Sequence, residues 1–118
     1  MLEITNKIET EIIGDINWNL FSSNYVKLVE GEPIDLVLKN FRQTEEDYNG
    51  DKSPGVRADV IKENGYEVKK ILVMTSKRLI NEIEPFVKKA QKLGDPEVKV
   101  RILRSGKGFN TQYSVRSV

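Results

Sequence analysis

A mainly β domain with one helix is the fold class that the sequence predicts, and three observations carry it. Asn64-Gly65 separates two runs of alternating apolar residues, and one apolar stripe of helical spacing spans residues 76–93. A second pair of alternating runs, from Val98 onward, is divided by Gly106-Lys107-Gly108. At 118 residues the chain suits a single domain, taken as 1–118, and residues 1–20, whose periodicity is weak, fit either a short strand and a loop or a peripheral arm.

Taken in order, residues 25–29 read as a strand, residues 30–33 as a turn, and residues 34–41 as a longer extended run with Ile34, Leu36 and Leu38 on one face. The two runs also fit one bent strand. Residues 42–55, RQTEEDYNGDKSPG, contain Asn-Gly, Ser-Pro and Pro-Gly signals and little apolar content, which predicts a long loop. Val56, Ala58 and Val60 alternate as a half-buried strand, and Asn64-Gly65 then supplies the positive φ values that a type I′ hairpin turn requires. Residues 66–75 return as its partner.

Thr75 or Ser76 can cap a helix whose buried stripe is Leu79, Ile80, Ile83, Phe86, Val87, Ala90 and Leu93. Gly94 suits its end, and Lys88, Lys89 and Lys92 suit the negative pole of its dipole. Pro85 predicts a kink or two short helices. Val98, Val100 and Ile102 then form a strand, residues 105–108 a turn, and Phe109, Thr111, Tyr113 and Val115 one face of a last strand. Trp18, Phe21 and Phe86 are assigned to packing.

Five strands with a helix between the third and fourth is the order of the OB-fold, a small Greek-key barrel that binds ligands on strands 2 and 3 and on the loops 1–2 and 4–5. Residues 42–55 and 105–108 would be those loops, and the helix would plug one end of the barrel. An open α+β sheet uses the same strands.

Composition narrows the chemistry. The chain has no cysteine and no histidine, which removes disulfides, thiolate metal sites and the commonest general base. Its longest apolar runs are too short to cross a bilayer, and its N-terminus lacks the pattern of a signal peptide, so a cytoplasmic protein is expected. The net charge is +1, yet residues 1–67 hold 14 acidic and 7 basic side chains whereas residues 68–118 hold 4 and 12. From Val98 on there are Lys99, Arg101, Arg104, Lys107 and Arg116 and no acid, the pattern of a ribbon facing a polyanion.

Gly106-Lys107-Gly108 is not a nucleotide-hydrolysing loop. That loop ends in Gly-Lys-Ser/Thr and opens a helix, whereas Phe109 and a strand pattern follow here. Glu45, Glu46, Asp47, Asp51 and Asp59 could hold Mg²⁺ for a nuclease, but acids in a polar loop are ordinarily just solvated. Single-strand binding needs cations that follow the backbone and aromatic faces on which bases stack. Arg57, Lys69, Arg101, Arg104 and Lys107 are the candidate cations, and Tyr48, Tyr66, Phe109 and Tyr113 the candidate stacking residues. For Phe109 and Tyr113, core packing is an equal alternative.

The Ser-led helix and the following KLGDPEVKVRILRSGKGFNTQYSV resemble single-stranded DNA-binding proteins of phages of Gram-positive bacteria, most closely the small OB-fold proteins of lactococcal tailed phages. The likeness covers most of the chain, with Gly106, Gly108, Thr111 and Tyr113 as its pattern. The resemblance implies non-catalytic, sequence-independent binding of single-stranded DNA in phage replication and recombination, without a cofactor. It also implies the host bacterial cytoplasm, assembly as homodimers or larger homo-oligomers, and phage or host recombination proteins as partners. Bacterial cellular relatives end in an acidic partner-recruiting tail; residues 113–118 hold no acid, so recruitment of that kind is not expected. The contrasting expectation is a phage protein-interaction module whose basic face docks an acidic partner.

Overall fold

A computed structural model describes Gly14 and residues 24–118, with Tyr48 described by its backbone only. The expectations for residues 1–20, Trp18 and Phe21 lie outside the described residues. The elements are β1 (Ile34–Tyr48), β2 (Asp51–Glu63), β3 (Tyr66–Met74), α1 (Lys77–Leu93), β4 (Val98–Ser105), a 3-10 turn (Gly108–Asn110) and β5 (Gln112–Ser117). They form one five-stranded antiparallel sheet of order β3-β2-β1-β4-β5. Strands β1 to β3 are joined by hairpins and β4 returns through α1 to lie beside β1, the connectivity of a Greek key. Among the described residues no helix is long and apolar enough to cross a membrane.

Mainly β with one helix between the third and fourth strands is therefore what forms, but the expected barrel closure does not. β3 and β5 stand at opposite ends of the sheet order. The outer edge of β3 is instead occupied by residues 24–26: Val26 N donates to Ile71 O at 3.0 Å and Ile71 N donates to Asn24 O at 2.9 Å. Beyond this bridge residues 26–29 are irregular and not the strand expected at 25–29. The segment then turns at Gly31, whose N–H donates to Arg104 O at 2.8 Å, so residues 24–31 tie β3 to β4.

The loop expected at 42–55 is not a loop. The β1–β2 ladder continues from Arg42↔Arg57 out to Tyr48↔Asp51, and it turns at Asn49-Gly50 with φ of 53° and 90°. Both central residues have positive φ, as a type I′ turn demands. β4 leaves β1 at Leu38↔Val98 and β3 leaves β2 at Val56↔Met74. Residues 43–55 therefore form a two-stranded ribbon about 20 Å long, with no third strand among the described residues. Pro54 is tolerated because among the described residues no strand pairs with β2 on its outer side there, so none needs the missing N–H.

The core lies on one face of the sheet. Leu36 and Leu38 of β1, Ala58 and Val60 of β2, Leu72 and Met74 of β3 and Val98, Val100 and Ile102 of β4 are buried, with Leu79 and Ile83 of α1 and Val26 of the strap. At about 25 cal/mol per Å² of apolar surface, each fully buried Leu or Ile contributes on the order of 2 kcal/mol. Ser76 caps α1 by accepting from Leu79 N at 3.3 Å. Gly94 ends it at φ 69°, with Asp95 N donating to Ala90 O at 2.9 Å. Of the two expectations for Pro85, the pair of short helices does not form: α1 is continuous through it. Proline frees the carbonyl four residues earlier, and Asn81 and Pro85 both stand on the exposed face, where water can satisfy it.

Candidate nucleic-acid interface

Register decides which predicted cations carry free charge. On the sheet face opposite the core, Arg101 of β4 stands directly across from Asp35 of β1. Its Nε and Nη2 donate to the two carboxylate oxygens at 2.6 and 3.1 Å. Arg57 is held in the same bidentate way by Glu46, at 2.9 Å for both bonds. Thr44 Oγ1 also donates to that carboxylate, and the guanidinium sits 5.9 Å from the Tyr25 ring centroid. Gly55 makes this possible, because a Cβ there would lie 2.9 Å from Glu46 Cγ. The donors from Arg57 and then Thr44 hold the Glu46 carboxyl down at about 2. The Arg101 guanidinium likewise lowers Asp35. Asp59, accepting from Asn40 and Arg42, is lowered as well.

The acids considered for Mg²⁺ do not converge. Glu45 pairs with Lys52, Glu46 with Arg57 and Asp59 with Arg42, and among the described residues no three metal-ligating side chains come together. The ribbon formed by 43–55 holds four acids and one lysine, the wrong sign for a polyanion. Tyr48 lies at its tip by its backbone. Tyr66 is exposed beside the Asn64-Gly65 turn and Lys69 is exposed on β3, both away from the β4–β5 turn.

A different corner gathers unpaired charge. An open groove of about 410 Å³ lies between the start of α1 and the β4–β5 turn, lined by Ser76, Lys77, Arg78, Arg104, Phe109 and Tyr113 among others. Lys107 stands exposed in the same turn. Lys77, Arg78, Arg104 and Lys107 form no ion pair among the described residues. Arg104 donates from Nη1 to Leu28 O at 3.3 Å, and its Nε is buried with no partner.

The turn itself is tightly folded. Gly106 has φ 79°, and a Cβ there would fall 2.1 Å from Asn110 O, so only glycine allows the chain to double back. Asn110 N donates to Lys107 O at 3.0 Å and Thr111 N to Gly108 O at 3.2 Å. From α1, Arg78 Nη1 donates to Phe109 O at 3.0 Å and also to Thr111 O. Phe109 thus belongs to the 3-10 turn and not to the last strand, and its side chain is 97 % exposed. Tyr113, across from Arg104, is half-buried and packs against the core cluster while lining the groove.

Of the nine residues singled out from sequence, Arg104, Phe109 and Tyr113 line this groove and Lys107 borders it. Lys77 and Arg78 were not foreseen. Their signal was present, because the first turn of a helix favours acids and α1 places two cations and no acid there. Comparison with protein families, with curated proteins and with solved structures finds no match to the chain.

Proposed function

We propose that the chain binds single-stranded DNA without sequence preference and without catalysis, through the corner between the start of α1 and the β4–β5 turn. The observation that carries this reading is Phe109, almost wholly exposed on a hydrogen-bonded turn beside four cations that have no carboxylate partner among the described residues. An exposed aromatic ring next to unneutralised charge is the pairing that stacks a base while holding the adjoining phosphates. Arg57 and Arg101 already hold carboxylates, so the phosphate contacts fall to Lys77, Arg104 and Lys107, with Tyr113 as the groove wall.

An OB-type arrangement of the strands, left open between β3 and β5, is part of the same proposal. It is supported by the Greek-key order, the fifth strand beside the fourth and the helix between strands three and four, and the corner includes the 4–5 loop where such folds bind ligands. Service in phage replication and recombination, within the host cytoplasm and as a homo-oligomer, rests on the resemblance noted above.

Fluorescence anisotropy of labelled oligo-dT at two salt concentrations tests the reading. With about three phosphates neutralised, log affinity is expected to fall against log salt with a slope near −2. Salt-independent affinity, tighter binding to duplex, or no binding at micromolar protein would refute it.

A further inference from the structure

We infer that Arg78 is a positioning residue for single-strand binding, fixing the β4–β5 turn so that Phe109 stands out from the surface, and that it does not serve as a phosphate contact. This rests on the proposed function of the corner. Arg78 lies in the first turn of α1, 31 residues before Phe109, yet its Nη1 donates to the carbonyls of Phe109 and Thr111 on either side of Asn110. The turn's remaining polar contacts are local, from Asn110 N to Lys107 O and from Thr111 N to Gly108 O, and no side chain caps its 3-10 segment. Phe109 itself contributes almost no packing, because it is 97 % exposed. The ring is therefore held by its backbone, and Arg78 supplies the side-chain hydrogen bonds that tie this backbone to the helix.

The arrangement also accounts for a cation where the helix dipole disfavours one. Carbonyl oxygens carry partial negative charge, and two of them converge on one nitrogen of the Arg78 guanidinium. A preordered stacking platform loses less conformational entropy when a base arrives, which is how a residue that touches no ligand raises affinity.

Lysine keeps the charge at this position but is shorter and lacks the planar guanidinium, so Arg78→Lys separates charge from positioning. In oligo-dT titrations of the full chain, R78K and R78A are both expected to raise Kd by about tenfold, the scale of one weakened base stack. The salt slope should stay at the wild-type value. Combined with Phe109→Ala, R78K should add little beyond F109A alone, because both changes remove the same contact. Trypsin cleavage after Lys107, which needs no nucleic acid, should be faster in R78K than in the wild type.

Wild-type affinity in R78K would overturn the inference. So would an R78A slope shallower by about 0.7, the mark of a lost phosphate contact. If the wild type binds no oligonucleotide, the reading of the corner as a DNA interface fails. The proteolysis then decides the brace alone: unchanged cleavage at Lys107 removes it, and faster cleavage keeps Arg78 as the residue that orders the turn.

Discussion

Replacing Phe109 by alanine should leave the fold intact while weakening single-strand binding, and the two magnitudes follow from separate features of the structure. The side chain is 97 % exposed. A phenylalanine offers roughly 200 Å² of surface, so folding buries less than about 10 Å² of it, worth about 0.2 kcal/mol at most. Binding is another matter, since a base stacked on an aromatic ring is worth on the order of 1–3 kcal/mol, a rise in Kd of roughly 5- to 150-fold. Urea or thermal unfolding measures the first quantity and oligo-dT anisotropy the second. A loss of 1 kcal/mol would lower Tm by about 4 °C in a domain of this size. A drop of that order would show that the ring packs, and an unchanged Kd would show that no base stacks on it.

Two further expectations concern stability. The Glu46 carboxyl is held at about 2 by donors from Arg57 and Thr44, below its unfolded range near 4.5. Its contribution is therefore fully present above about pH 4.5 and fades as pH falls toward 2. Urea unfolding from about pH 6 to about pH 3 should show the wild type losing stability and Glu46→Gln losing less of it, with Asp35 and Asp59, lowered in the same direction, carrying the rest. An identical pH profile in the two proteins would remove Glu46 from that account. On the core face, Lys70 Nζ meets Glu63 Oε1 at 3.0 Å with side chains only 7 % and 11 % exposed. Lys70→Met should cost about 3–5 kcal/mol by stranding the Glu63 charge, and adding Glu63→Leu should recover most of it. Denaturant midpoints decide this, and a double variant as unstable as the single one would count against an uncompensated charge as the cause.

The elements that were legible in the sequence are those with one wet and one dry face. Val56, Ala58 and Val60, the stripe from Leu79 to Ala90, and Val98, Val100 and Ile102 all carry the periodicity that burial imposes and form where expected, whereas Leu93, expected at the end of that stripe, is exposed in the last turn of α1. Residues 43–55 defeated that reading because the covered face of the ribbon is built of Thr44, Glu46, Ser53 and Gly55, which leave no apolar period to show. Asn49-Gly50 was the available signal, the same dipeptide type as Asn64-Gly65, but no alternating run flanks it. Gly55 likewise suggested a turn, whereas its bare Cα makes room for the Glu46 side chain to reach Arg57. Phe109 was placed on the last strand because it falls in phase with Thr111, Tyr113 and Val115, and the fold-back at Gly106 breaks that phase.

Charge was the harder property to read, for a physical reason. A strand presents each cation to whatever stands across the ladder, and that neighbour can be far away in sequence: Asp35 is 66 residues from Arg101. Counting basic residues along the C-terminal strands therefore overstates the charge left for a ligand, since pairing across the sheet neutralises Arg101, and pairing along the β1–β2 arm neutralises Arg57. Residues at the ends of elements have no such facing strand. Lys77 and Arg78 open a helix and Lys107 sits in a turn, so their charges stay uncancelled by position and not by composition. A polyanion approaching the molecule meets guanidinium groups at Arg57 and Arg101 that already hold carboxylates, and at the corner it meets cations that hold none among the described residues, which is the physical basis for the docking proposed there.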